Sequence, residues 1–250
     1  MAALVSYAVT DGVAHLELDR PDAANAFDLA TTRELADAVG RAAADPEVRA
    51  VLVTGAGPRF CAGGDVASFA SAEDQPAYIH QLALELDAAF RALATTEKPV
   101  VAAVQGAVAG AGLALMLSCD VIVSDPATKF VFAYPGIGFT PDCGASYLLP
   151  RAMGQQRALA FALLGRPATA DEAVDWGLVT EVHADPATRA RELATALASG
   201  PATALGHVRR LLRQSWEMSR TETGVEEART ITEMVRGAEA QALIEKFVSR

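Results

Sequence analysis

Cysteine is scarce. Cys61, Cys119 and Cys143 are the whole complement of a 250-residue chain. They are odd in number, far apart and without metal-ligand spacing. Neither a disulfide framework nor a cysteine-based metal site is expected. Two of them stand beside glycines, where small size is reason enough for them. Reduced thiols of this kind suit the cytoplasm. Basic residues are in deficit as well, with 21 Lys and Arg against 31 Asp and Glu and a net charge of −10. That balance argues against a nucleic-acid-binding surface. The N-terminus lacks a basic segment followed by an apolar core, so no secretory leader is expected. Long apolar runs are missing too: the longest contain turn glycines and are too short to span a membrane.

What is abundant is apolar side chain, 51% of residues. That suffices for the core of one large domain, or of a domain with a small appendage. The chain is organised around residues 100–120, VVAAVQGAVAGAGLALMLSCD. Residues 100–104 form a short apolar run after Pro99, suited to a strand buried on both faces. Gly106, Gly110 and Gly112 let the backbone turn sharply and approach a neighbour closely. An apolar helix follows, up to Cys119 and Asp120. The free N–H groups at the start of such a helix suit a negative oxygen. The glycines are not a dinucleotide fingerprint, because Leu115 stands where the third glycine belongs. Nor are they a P-loop, because no Gly-Lys-Ser/Thr follows Gly106 at the required distance. By pattern alone, tight strand–helix packing explains them as well as a site does. Residues 51–65, VLVTGAGPRFCAGGD, repeat the order of strand, glycines and small-residue turn. Two such units can aim two backbone N–H groups at one oxygen.

The remaining segments read as follows. Residues 4–9 and 13–18 alternate as a hairpin across Thr10-Asp11-Gly12. Asp28 is placed to cap a helix reaching residue 44, with Leu35, Ala38, Val39 and Ala42 on its buried face. A strand is expected over 48–54. Residues 66–74 are small and weakly periodic, and read as a mobile segment. A helix over 75–94 buries Ile79, Leu82, Leu86, Phe90 and Leu93. His80, beside that stripe, reads as a helix-surface residue. Strands follow at 121–124 and 130–134, then a loop over 135–143. Helical segments run from 146 to 164 with a break at Gly154. A short helix at 171–175 and a strand at 178–182 come next. From residue 186 the chain reads as helical, punctuated at Pro201 and Gly224. Strands alternating with helices over the first two-thirds predict an α/β domain.

Several pieces then stand in a telling order: Arg20-Pro21 with Asn25-Ala26, Arg59-Phe60-Cys61-Ala62-Gly63-Gly64-Asp65, residues 106–112 with Cys119-Asp120, Pro141-Asp142-Cys143-Gly144, and residues 170–182. In these the chain resembles the crotonase (enoyl-CoA hydratase/isomerase) superfamily over nearly its whole length. The resemblance implies an α/β spiral of repeated β-β-α units with a helical C-terminal part. Residues 1–195 would form the core that binds acyl-CoA, and residues 196–250 an oligomerisation region. It implies an acyl-CoA thioester as substrate and a homotrimer or hexamer as the assembly. Coenzyme A would be part of the substrate, with no separate cofactor and no metal.

By motif position, the resemblance makes the Gly64 and Ala111 N–H groups the donors that hold an enolate oxygen. Alanine replaces the family's usual glycine at the second position but keeps the N–H. Hydratases of the family carry two glutamates. Here Ala114 stands at one position and Tyr134 at the other, so neither is present. Tyr134 is a poor base but a suitable hydrogen-bond donor, or else a packed aromatic. Asp142 follows a rigid proline and precedes a helix. Locally it reads first as a helix cap. The resemblance reverses this, because family members that move a double bond, phenylacetyl-CoA epoxide isomerases among them, look similar around Asp142. There it would take a proton from Cα and return it at Cγ. Asp65 reads as a cap of the following helix. The CoA portion would lie against backbone near Ala24, Ala26, Ala62, Gly63 and Gly110, and Lys246 resembles the family's terminal lysine that reaches CoA. The expected activity is isomerisation of a 3-enoyl-CoA to a 2-enoyl-CoA or of a related ring thioester. The rivals are enoyl-CoA hydratase, thioester hydrolase and non-catalytic acyl-CoA binding.

Overall fold

The computed structural model describes residues 3–249. It opens with β1 (Val5–Thr10) and β2 (Val13–Leu18), paired antiparallel across Asp11 and Gly12. Both turn residues have positive φ, 51° and 75°, the pattern of a two-residue turn whose twist matches the strands. Helix α1 (Leu29–Ala44) begins at Asp28, whose carboxylate accepts the Thr31 N–H at 2.7 Å. It buries Leu35, Ala38, Val39 and Ala42, the face its periodicity selects. β3 (Ala50–Gly55) is buried throughout and runs parallel to β2.

Residues 66–74 depart from expectation. Val66–Ser71 form a short helix, α2, because the Asp65 carboxylate caps the Ala67 and Ser68 N–H groups. α3 (Gln75–Thr95) buries Leu82, Leu86, Phe90 and Leu93. Then come β4 (Val100–Val104), parallel to β3, and β5 (Ala107–Ala109). β5 occupies what the sequence presents as a glycine turn. It is too short and too flanked by glycine to show a period. α4 (Ala111–Ser118) returns the chain to β6 (Val121–Ser124), parallel to β4. β7 (Lys129–Val131) is shorter than the expected 130–134 strand, because Tyr134–Ile137 turn into a 3-10 helix around Pro135.

Helices α5 (Ala145–Met153) and α6 (Gln155–Leu164) meet at Gly154, as its φ of +81° allows. β8 (Ala168–Thr169), α7 (Ala170–Asp175) and β9 (Glu181–Val182) follow. The expected strand at 178–182 thus shrinks to two residues, because Leu178 and Val179 bond back to Ala173 instead. The chain ends in α8 (Pro186–Ser199), α9 (Ala202–Gln214), α10 (Arg220–Met234) and α11 (Ala238–Val248). Gly224 lies inside α10 rather than breaking it, and residue 195 lies inside α8.

The strands form two sheets, in the orders β1-β2-β3-β4-β6-β9 and β5-β7-β8. The turns of the spiral are visible here. β4 and β6 lie in the large sheet, and each is followed by a strand of the small one. β3 is followed by Cys61, which bridges to Val108 of β5. Both faces of the large sheet are covered, as a parallel sheet requires. Val101 and Ala103 of β4 meet Ala190, Ala194 and Ala198 of α8 on one face. Val100, Ala102 and Val104 face the main core with α1, α3 and α4. The small alanines, four residues apart, let α8 lie close to the sheet.

α9 is tied to this body by charge. Arg209 is buried and donates to Asp120 and to the Leu93, Ala94 and Thr96 carbonyls at the end of α3. Arg213 holds the other Asp120 oxygen at 2.8 Å. Buried charge is tolerable when paired and hydrogen-bonded in this way. Among the described residues no helix is long and apolar enough to cross a membrane.

Candidate active site

The site begins with a loop stapled in place. Asn25 is fully buried in a left-handed conformation. Its side chain accepts from the Arg20 N–H at 2.8 Å and donates to the Ala56 and Arg59 carbonyls at 2.9 and 2.8 Å. The loop after β3 is thereby fixed to the loop after β2. Arg20 adds ion pairs to Asp65 at 3.0 Å and Asp28 at 3.3 Å. Burial pulls the Asp65 carboxyl upward, but the Arg20 and Ser68 hydrogen bonds outweigh it and leave it below the ordinary value. Asp65 is therefore an ionised cap, as expected, and not a base.

Backbone bonds complete the staple. Ala62 donates to the Ala24 carbonyl at 3.0 Å, Phe27 to Gly63 at 2.8 Å, and Asp65 to Phe27 at 2.8 Å. Phe27 and Gly64 are thus a parallel bridge pair in which Phe27 bonds to the neighbours of Gly64. In such a pair the bridged residue's own N–H points the opposite way. Ala111 is the first residue of α4, so its N–H has no partner within the helix. Among the described residues neither N–H finds an acceptor in the protein.

Two glycines bring these donors together. A Cβ on Gly63 would lie 3.0 Å from the Ala109 oxygen and 3.4 Å from the Ala111 nitrogen. A Cβ on Gly112 would lie 2.4 Å from the Cys61 oxygen. The start of α4 therefore sits directly on the 61–64 loop. Two adjacent free backbone donors can hold a negative oxygen without any reactive side chain.

Both donors line a cavity of about 610 Å³, and Asp142 and Tyr134 line it too. The rest of its wall is largely apolar, with Val66, Phe69, Ile79, Leu82 and Leu86 from α2 and α3. Tyr134 is buried against Phe132, with ring centroids 5.1 Å apart. Its hydroxyl donates to Asp142 Oδ1 at 2.9 Å. Burial, and then the Asp142 charge, raise the phenol well above its ordinary value. Tyr134 is held as a donor. It is packed and polar at once, which the sequence presented as alternatives.

Asp142 does not cap α5. Gly144 holds the cap position and makes no side-chain bond. Cys143 and Gly144 take left-handed conformations, φ 51° and 76°, and turn the chain into the helix without using the Asp142 side chain. Among the described residues Asp142 is the one carboxylate lining the cavity. Ala114 is fully buried in α4 and does not line it. All three thiols are buried, and burial pushes Cys61 and Cys119 up to about 12 and raises Cys143 as well.

Of the other expected contacts, Ala62, Gly63 and Gly110 line the cavity. Ala24 and Ala26 do not; they stand behind it, with Ala24 holding Ala62. Lys246 is exposed on α11 and away from the cavity wall. The sequence reading missed a role for His80. It is exposed, as a surface residue should be, yet it lies on the cavity wall one residue from Ile79. Its neighbour Ile79 was the available signal, since that end of the buried stripe faces the cavity rather than the core.

A two-sheet β-β-α spiral with converging backbone donors over an apolar cavity defines an enzyme of the crotonase superfamily. The chain belongs to the enoyl-CoA hydratase/isomerase family, whose model matches residues 8–250. It is 37% identical over 219 residues to 1,2-epoxyphenylacetyl-CoA isomerase of Escherichia coli (strain K12), covering 86% of this chain and 82% of that one. It is 35% identical over 214 residues to 4-chlorobenzoyl coenzyme A dehalogenase-2 of an Arthrobacter species, covering 84% of this chain and 78% of that one. The solved enoyl-CoA hydratase/isomerase of Cupriavidus metallidurans CH34 superposes with a TM-score of 0.91 at 32% identity, over 98% of this chain and 93% of that one.

Proposed function

We propose that the protein is an acyl-CoA isomerase that moves a double bond from the 3- to the 2-position of an enoyl thioester, or rearranges a related ring thioester. The observation that carries this is Asp142: the one carboxylate on the cavity wall among the described residues, uncommitted to a helix cap and held by Tyr134. The thioester carbonyl oxygen sits between the Gly64 and Ala111 N–H groups. Asp142 takes the Cα proton, and the electron pair moves onto the carbonyl oxygen as an enolate. The enolate collapses, the double bond forms between Cα and Cβ, and Cγ takes the proton back. No water enters. One backbone donor of this kind is worth about 2.7–4 kcal/mol of barrier.

Water addition is disfavoured by what the cavity lacks. Ala114 and Tyr134 stand where the hydratases of the family have glutamates, and neither can deprotonate water. The CoA portion runs over the backbone near Ala62, Gly63 and Gly110, with Ala24 holding Ala62 in place from behind. Exposed Leu212 of α9, Trp216 of the turn after it, Ile231 of α10 and Phe247 of α11 suit an assembly of copies, a homotrimer or hexamer in which Lys246 reaches a neighbour's CoA. Three cysteines left as free thiols suit a cytoplasmic enzyme. The reaction is tested by mixing the protein with a short 3-enoyl-CoA. Gain of conjugated absorbance at unchanged mass supports isomerisation, while a product heavier by one water supports hydratase chemistry.

A further inference from the structure

Two phenylalanines on the cavity wall come from distant parts of the chain and stack on each other. Phe69 of α2 and Phe139 of the loop before Asp142 have ring centroids 6.3 Å apart and planes 23° apart. Phe69 also stands against the Gly64 donor. A Cβ on Gly64 would lie 2.5 Å from its Cζ atom. An acyl chain leaving the two donors for the cavity therefore meets the Phe69 ring first. Phe69 also neighbours Tyr78, with ring centroids 6.3 Å apart. Phe139 has no second aromatic neighbour among the described residues, and its loop is held by the Phe139 N–H donating to the Tyr134 carbonyl at 3.0 Å. It is 39% exposed, and it follows Gly136 and Gly138, where an added Cβ would meet nothing within 4 Å. One ring has a second aromatic neighbour, and the other stands partly exposed on a glycine-flanked loop.

Seating a flat group between two ring faces needs a spacing of about 7 Å, two carbon contacts of about 3.5 Å each. The two rings face each other at 23° with centroids 6.3 Å apart, so a flat group reaches both faces when the Phe139 loop moves outward. A saturated ring or a branched chain is thicker and would force the two faces much further apart. We propose that Phe69 and Phe139 form an aromatic slot that determines acyl specificity. The slot favours thioesters of planar, unsaturated rings over saturated groups of the same carbon count. This deepens the acyl-CoA reading of the site and rests on it.

The test is a pair of non-isomerising esters with the same carbon skeleton, phenylacetyl-CoA and cyclohexylacetyl-CoA, with acetyl-CoA as reference. Calorimetric binding to the full chain should favour the phenyl ester by about five- to tenfold, the size of a stacked aromatic contact. Phe69→Leu should bring the affinity ratio of the two ring esters to about one. Phe139→Leu, on an exposed loop where folding is not at stake, should do the same. Equal binding of the two ring esters by the wild-type chain overturns the slot alone. So does a preference that survives both substitutions. Failure of acetyl-CoA and of both ring esters to bind overturns the acyl-CoA reading itself, and the slot with it.

Discussion

The Tyr134 hydroxyl donates to Asp142 Oδ1 at 2.9 Å on the wall of the cavity. This bond orients the carboxylate through Oδ1 and leaves Oδ2 for a substrate proton. It also sets a pH prediction. Burial and the Asp142 charge hold the Tyr134 phenol above its ordinary value. A group raised in the folded state keeps its contribution below the unfolded value and loses it only as pH rises through the folded one. Tyr134 should therefore stay protonated through the ordinary tyrosine range near about 10. In an ultraviolet titration of wild type against Tyr134→Phe, the two native proteins should gain the same tyrosinate signal up to unfolding. An extra native phenol ionising near 10 in wild type would contradict this.

The cysteines should not react. Burial pushes Cys61 and Cys119 up to about 12, so almost no thiolate exists at pH 8. Iodoacetamide at that pH should leave all three thiols unmodified and isomerase turnover unchanged. After denaturation all three should be alkylated, as mass spectrometry would count. Rapid native labelling with loss of turnover would mean that a thiol takes part.

Placement of the second donor depends on Gly112. A Cβ there would lie 2.4 Å from the Cys61 carbonyl oxygen, and that oxygen is itself bonded to the Ala109 N–H. Gly112→Ala should push the start of α4 away from the 61–64 loop and cost about 1–3 kcal/mol of stability. Turnover should fall further than the melting temperature implies, because the Ala111 N–H moves with the helix. Gly136→Ala, in open space, is the control and should change stability by less than about 0.5 kcal/mol. Thermal melts and turnover on the two variants would show whether the close contact matters.

Long periodic segments were the legible part of the fold. α1 and α3 match their expected ranges: α1 because cap and stripe agree, Asp28 before Leu35, Ala38, Val39 and Ala42, and α3 because its stripe of Leu82, Leu86, Phe90 and Leu93 is long and regular. The small sheet was not legible. β5 and β8 are three and two residues long, too short for any period, and they exist because neighbouring spiral turns supply partners. α2 was hidden for a different reason: its six residues bury none of their side chains fully, so no stripe marks it. In the site, the glycines around Gly64 and Ala111 announced a close approach of backbone. The roles of Asp142 and Tyr134 came from resemblance. Their bond spans a 3-10 turn closed by left-handed Gly138, and no local pattern encodes that meeting. His80 and the Phe69–Phe139 pair belong to the same class, since a cavity wall is assembled from segments that carry no shared period.

The central claim is that Asp142 moves the proton, and Asp142→Asn tests it most directly. The substitution keeps the size of the side chain and an acceptor for Tyr134, but removes the base. Turnover of a 3-enoyl-CoA should fall by about 10²–10⁴-fold, while affinity for a non-isomerising CoA ester stays within about threefold of wild type. Turnover within a few-fold of wild type, at intact binding, would show that another group carries the proton.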